Sequence, residues 1–255
     1  MKKFRIGLVL SGGGARGMAH AGVLRALDEI GIKPDIISAT SAGAIVGVLY
    51  SGGMKPESIT GVLKGIRLFD LKGISFDFKG IMKPNLFRQI LNRHLHVKRF
   101  EDLKIPLIVN ATDINNARTV YFSSGDLVQP IVASCALPIV FSPLNIGGHS
   151  YVDGGLLNNF PVEPLEGICE KIIGVHVNPI SVRDKPVPVT RVLERCFHMA
   201  ISSTIKPKEA FCDVFIEPLQ LSEYGVFEIE KVSEIALIGY TAAMSKSKEL
   251  AVLAG

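Results

Sequence analysis

Apolar residues fall in short runs along this chain, separated by stretches in which they recur at helical spacing. Runs at Phe4–Leu10, Asp35–Thr40, Pro106–Thr112, Thr119–Ser123, Ser150–Asp153, Lys171–Asn178 and Val214–Glu217 read as strands. The clearest helical pattern passes through Met18, Ala21, Leu24, Leu27 and Ile30 and stops at Gly31; another runs from Glu228 to about Ala251. Strands alternating with helices predict an α/β fold in which a central sheet carries helices on both faces. The runs flanking Asn115-Asn116 read as an antiparallel hairpin, so the sheet should be mixed and mostly parallel. No repeat, low-complexity tract or Pro/Gly/Ser-rich linker interrupts the pattern, and residues 1–255 are expected to form a single domain.

With 255 residues and 47% hydrophobic content, the chain can bury a large core. Lys2-Lys3-Phe4-Arg5, the apolar Ile6–Leu10 and then Ala19-His20-Ala21 imitate a secretory signal, but the apolar part is short and is followed by three glycines. No apolar run approaches the ~18 residues of a membrane span. Cys135, Cys169, Cys196 and Cys212 are widely spaced and suggest neither zinc nor a disulfide framework. A cytoplasmic protein with reduced thiols is expected.

The net charge of +4 is unevenly spread. Residues 61–104 hold ten Lys or Arg against four acids, interleaved with Leu68, Phe69, Phe76, Phe78, Ile81, Met82, Phe87 and other apolar groups. Two readings stand for this segment: an amphipathic surface for anionic lipid, or a solvated excursion whose apolar side joins the core. Nucleic acid is not expected, because the bases form no binding motif and the rest of the chain is slightly acidic.

Three segments carry candidate chemistry. In Ile36-Ile37-Ser38-Ala39-Thr40-Ser41-Ala42-Gly43-Ala44-Ile45, a strand meets a helix with only small residues between them. A sharp strand-to-helix turn exposes a serine hydroxyl, and the first amides of the helix favour negative charge beside it. The usual pattern for this turn is G-x-S-x-G; Ala39 stands in the first position here, the smallest possible departure. The second segment, Ser11-Gly12-Gly13-Gly14-Ala15-Arg16-Gly17, lies between the first strand and the first helix, and its unobstructed amides suit an anion. The third, Tyr151-Val152-Asp153-Gly154-Gly155, places a carboxylate on a glycine turn after a strand.

In this order the three segments resemble the patatin-like phospholipase family. The likeness extends through Ala15–Leu24 and through Ala133–Pro143, which are similar to linking blocks of bacterial members. It implies a patatin-like fold and a Ser41–Asp153 catalytic dyad. An oxyanion hole would come from Gly12, Gly13, Gly14 and Ala42, supported by Ala15, Arg16, Gly17, Ala39, Gly43, Gly154 and Gly155. The implied activity is hydrolysis of fatty-acyl esters of phospholipids or lysophospholipids through an acyl-enzyme, with no metal or organic cofactor. The alternative is a non-catalytic relative that keeps the fold and binds lipid or protein.

Other readings compete for the same residues. Gly12, Gly14 and Gly17 also fit the dinucleotide fingerprint, but the acid that should close the second strand is missing: Asp35 stands before it. Ser41, Asp153 and His176 occur in the order of an α/β-hydrolase triad, yet His176 lies within a buried-looking strand. His20 reads as packing on an apolar helix, and His149 sits in a glycine-rich turn. Asp153 alone would read as a local turn residue. Arg16 is open to two roles, a brace for the glycine loop through backbone carbonyls or a lipid phosphate ligand, and the brace is preferred.

Overall fold

Each strand expected from the apolar runs is present in the computed structural model, which describes residues 3–65, 85–138, 140–180, 189–226 and 228–254. In chain order the elements are β1 (Phe4–Leu10), α1 (Ala19–Ile30), β2 (Ile36–Ala39), α2 (Ala42–Ser51), α3 (Pro56–Lys64), α4 (Asn85–His94), β3 (Leu107–Asp113), β4 (Arg118–Phe122), α5 (Val128–Ser134), β5 (Leu144–Ile146), β6 (His149–Asp153), β7 (Cys169–Val175), α6 (Val189–Ser203), β8 (Val214–Ile216), α7 (Val232–Ser245) and α8 (Ser247–Ala254). The expected last helix is thus two helices that break at Lys246. β5 was not legible as a separate strand, since three edge residues are too few for an alternation.

The strands form one sheet in the order β5-β6-β3-β2-β1-β7-β8, with β4 also paired to β3. β3, β2, β1, β7 and β8 are parallel, while β4 and β6 pair antiparallel to β3 and β5 antiparallel to β6. β1 lies between β2 and β7, and Gly7, Leu8, Val9 and Leu10 are all buried, as expected for a strand covered on both faces.

One detail of the pairing places the site. β4 occupies β3 from Val109 to Asp113, overlapping β6 at Ala111–Asp113 and β2 at Val109, so β2 and β6 must share the opposite edge of β3. β2 runs parallel to β3 and ends with Ala39 beside Val109; β6 runs the other way and ends with Asp153 beside Ala111. The two strands therefore point at each other and stop on either side of Asn110. Ser41 and Asp153, 112 positions apart in sequence, emerge at the same spot.

Of the basic stretch 61–104, residues 66–84 lie outside the described residues, among them Lys72, Lys79 and Lys83. In its flanks Leu63, Ile90, Leu91, Leu95 and Phe100 are buried, so there the apolar side faces the core. Among the described residues no helix is long and apolar enough to cross a membrane.

Candidate active site

Between β2 and α2 the chain turns at Ser41, whose φ of 50° and ψ of −121° are strained for a residue with a side chain. The turn is held from both sides by the residues that end α5. Ser41 N–H donates to Ser134 Oγ at 2.8 Å, and the Cys135 thiol donates to the Ser41 carbonyl at 3.3 Å. Gly43 allows α2 to start against β1, since a Cβ there would lie 2.5 Å from both the Leu10 and Ser11 carbonyl oxygens. Ala39, the departure from the usual turn pattern, is accommodated: its methyl packs over Gly47, 3.5 Å from where a side chain would begin.

The Ser41 hydroxyl donates to Asp153 Oδ2 at 2.6 Å. Asp153 Oδ1 accepts the Gly155 N–H at 2.7 Å, and its backbone N–H is bound to the Ala136 carbonyl. Gly154 and Gly155 open a short 3-10 turn at the end of β6. Only 5% of Asp153 is exposed, and burial lifts its carboxyl from 3.8 to about 6, although the bonds from Ser41 and Gly155 pull it down. Ser41 itself is only half-buried.

Beneath the pair, Asn110 joins the converging strand ends. Its Oδ1 accepts the Thr40 hydroxyl at 2.6 Å, and its Nδ2 donates to the Asn158 carbonyl at 2.8 Å. Thr40 and Asn110 are fully buried, so this network is desolvated and rigid. Asn158 is anchored in turn by Tyr121, Glu163 and Lys208.

The glycine loop lies directly against Ser41: a Cβ on Gly12 would sit 3.2 Å from Ser41 Cβ. Gly12 N–H is committed to the Asn159 carbonyl at 3.1 Å, so it cannot serve an oxyanion as the sequence suggested. The amides of Gly13, Gly14 and Ala42 have no acceptor among the described residues. Gly14 has a φ of 54°, and Ala15 N–H bonds the Val226 carbonyl at 2.8 Å. Gly17 packs on Ala42 with no room for a side chain. Arg16 is buried, and its Nε donates at 2.7 Å to the carbonyl of Tyr224, the geometry of a brace.

None of the histidines considered above bonds the Ser41 hydroxyl. His176 is 1% exposed, pairs through Nδ1 with Glu217 Oε1 at 2.7 Å, and lies just past β7. His20 does more than pack: its Nε2 bonds the Ser11 carbonyl at 2.8 Å, and burial, with His176 nearby, lowers it to about 4. It is therefore neutral near pH 7, with Nε2–H as the donor. His149 belongs to an exposed turn with Asn116 and Asp113. Sequence reasoning missed Asn110, Ser134 and Cys135. Asn110 left one trace, a single amide among apolar residues of a strand.

The comparisons with known proteins point one way. Lysophospholipase nte1 of Aspergillus fumigatus is 27% identical over 92% of this chain, and Lysophospholipase NTE1 of Cryptococcus neoformans is 33% identical over 69% of it. The aligned regions amount to 18% and 11% of those much longer relatives. VipD from Legionella pneumophila has the same fold, with a TM-score of 0.55 at 14% identity, over 96% of this chain and 67% of that one. ExoU of Pseudomonas aeruginosa, in its complex with SpcU, follows at 0.50 and 16% identity, over 98% of this chain and 52% of that one. The patatin-like phospholipase family model matches residues 8–166, which include the glycine loop, the serine turn and the aspartate turn, and the chain belongs to that family.

Proposed function

We propose that this chain is a serine hydrolase that cleaves fatty-acyl esters of lysophospholipids or phospholipids through a Ser41–Asp153 dyad. The observation that carries the reading is the 2.6 Å bond from a strained, accessible serine to a buried aspartate held at about 6. A carboxylate with that affinity for protons is a far better general base than an ordinary aspartate, yet it still ionises by neutral pH. Asp153 takes the Ser41 proton as Oγ attacks the ester carbonyl carbon. The charge that develops on the carbonyl oxygen is met by the amides of Gly13, Gly14 and Ala42, at the start of α2. Collapse breaks the ester bond, and Asp153 returns the proton to the departing alcohol. Water, deprotonated by the same carboxylate, then releases the fatty acid from Ser41. The chemistry draws on side chains and backbone amides alone.

The names of the curated relatives favour lysophospholipids within the ester class. The four free thiols fit a reducing compartment such as the cytoplasm. The bases of residues 61–104 would suit peripheral contact with anionic lipid. Labelling with a fluorophosphonate, followed by peptide mass spectrometry and a lysophospholipid panel, tests the reading. Label on Ser41, with hydrolysis lost in Ser41→Ala and Asp153→Asn but kept in His176→Gln, is the expected result. No turnover of any ester would favour the non-catalytic alternative, and loss in His176→Gln with activity retained in Asp153→Asn would favour a triad.

A further inference from the structure

Three successive peptide groups of the glycine loop differ in how they are held. The Ser11–Gly12 peptide is clamped at both ends, its carbonyl by His20 Nε2 and its N–H by the Asn159 carbonyl. The Gly13–Gly14 peptide is held at its carbonyl by the Arg16 N–H, 3.1 Å away in the adjoining turn. The Gly12–Gly13 peptide lies between two residues without side chains, so sterics do little to choose which way it faces. Its carbonyl is fixed by two side-chain donors: Asn178 Nδ2 at 2.5 Å and Ser11 Oγ at 3.0 Å.

A trans peptide points its carbonyl and its N–H in opposite directions. Holding the Gly12 carbonyl into the protein therefore turns the Gly13 N–H away from it, and that N–H has no acceptor among the described residues. Asn178 follows β7 and precedes Pro179, which biases it towards extended backbone. The Ser11 hydroxyl also accepts the Val177 N–H at 3.1 Å, which ties this stretch to the loop. The Asn178 amide lies against Gly13, where a Cβ would be 3.1 Å from its Oδ1 and 2.5 Å from Val177 Cγ2.

We propose that Asn178 is a positioning residue for acyl transfer: by holding the Gly12 carbonyl inward, it aims the Gly13 N–H at the developing oxyanion. This rests on the reading of Gly13 as an oxyanion donor given above. Two features separate the role from packing. Of the two ends of the Asn178 amide only the nitrogen can donate to a carbonyl, so the side chain acts as a donor here. Asn178 is 9% exposed, and its Oδ1 has no hydrogen-bond partner among the described residues, a desolvation cost that an apolar residue of the same size would not carry. What the asparagine contributes is therefore its single donated bond.

The test uses the purified 255-residue chain, a water-soluble fatty-acyl oxoester and its thionoester, and the variants Asn178→Leu and Asn178→Ala. These two differ in size and share only the lost donor, and thermal melts establish that each is folded. Removing an oxyanion donor outright lowers turnover by ~10²–10³. Because Ser11 Oγ still holds the carbonyl, kcat on the oxoester should fall by roughly 10- to 100-fold, with KM changed less than about threefold. Sulfur accepts hydrogen bonds poorly, so the thionoester should lose much less, and the oxo-to-thiono rate ratio should drop. An unchanged kcat in a folded variant, or an equal loss on both esters, would overturn the proposal. Ser41→Ala run alongside distinguishes the failures: if it retains wild-type hydrolysis, the dyad reading fails and this inference with it. If it is inactive while the Asn178 variants behave as wild type, only the inference fails.

Discussion

Replacing Asp153 by asparagine should abolish turnover and also make the protein harder to unfold at pH 8. Burial holds the carboxyl at about 6, above its ordinary 3.8. A proton held more tightly in the folded chain than in the unfolded one means that ionisation weakens the fold. Below pH 3.8 both states are protonated and nothing is lost; between 3.8 and about 6 the loss grows, and above that it is constant. At ~1.36 kcal/mol per pKa unit, this interval corresponds to about 3 kcal/mol. Asparagine carries no charge at any pH, can still accept the Gly155 N–H through Oδ1, and can turn Nδ2 towards Ser41 Oγ. The bonds that favour the charged form are already counted in that shift, so a neutral asparagine of the same shape recovers up to about 3 kcal/mol. For a domain of this size each kcal/mol moves Tm by ~2–4 °C, so a rise of up to roughly 6–12 °C is expected at pH 8, fading towards pH 4. Circular-dichroism melts of both proteins at pH 4, 6 and 8 measure it. An asparagine variant no more stable than wild type at pH 8, or equally advantaged at pH 4, would refute the burial cost.

On the proposed mechanism the same carboxyl sets the rate: kcat/KM on a soluble ester should rise with pH to a plateau, with a midpoint near 6, and a midpoint near 4 would assign the base elsewhere. Ser134→Ala removes the acceptor for the Ser41 N–H in the strained turn; it should slow fluorophosphonate labelling at least tenfold, roughly the effect of about 1.4 kcal/mol, and unchanged labelling would show that the turn holds itself. If the basic segment meets lipid, changing Lys72, Lys79 and Lys83 together to glutamate should weaken flotation with anionic vesicles by orders of magnitude, at ~1 kcal/mol for each lysine near the surface. Turnover of a monomeric ester should hardly change, whereas equal flotation would make these lysines ordinary solvated surface.

The strands were legible because each is a compact apolar run, and the serine and aspartate turns were legible because small residues crowd each chemical group within a few positions. What escaped was the support of those turns. Thr40 meets Asn110 across 70 positions, Ser41 meets Ser134 across 93, and Gly12 meets Asn178 across 166. Contacts of that range leave no local periodicity, because they depend on which strands become neighbours. Ser134 lay inside a block that supported the family resemblance, yet its hydroxyl acquires a role only when α5 ends beside β2. The Gly12 amide was misread for the same reason: its acceptor on Asn159 arrives from beyond β6, which no inspection of the glycine loop can reveal.

If the proposed dyad operates, the head-on approach of β2 and β6 along β3 makes catalysis a gauge of strand register. Each half of the proposed dyad is attached to β3 by its own ladder, Ala39 beside Val109 and Asp153 beside Ala111. A slip of one residue in either ladder displaces that half by ~3.3 Å and turns its side chains to the other face of the sheet. A displacement longer than the bond itself leaves the serine without its base. On the proposed mechanism, partly folded or mispaired forms of this chain should thus be inert towards esters, and a newly made molecule would become able to cleave them only when the sheet has closed correctly.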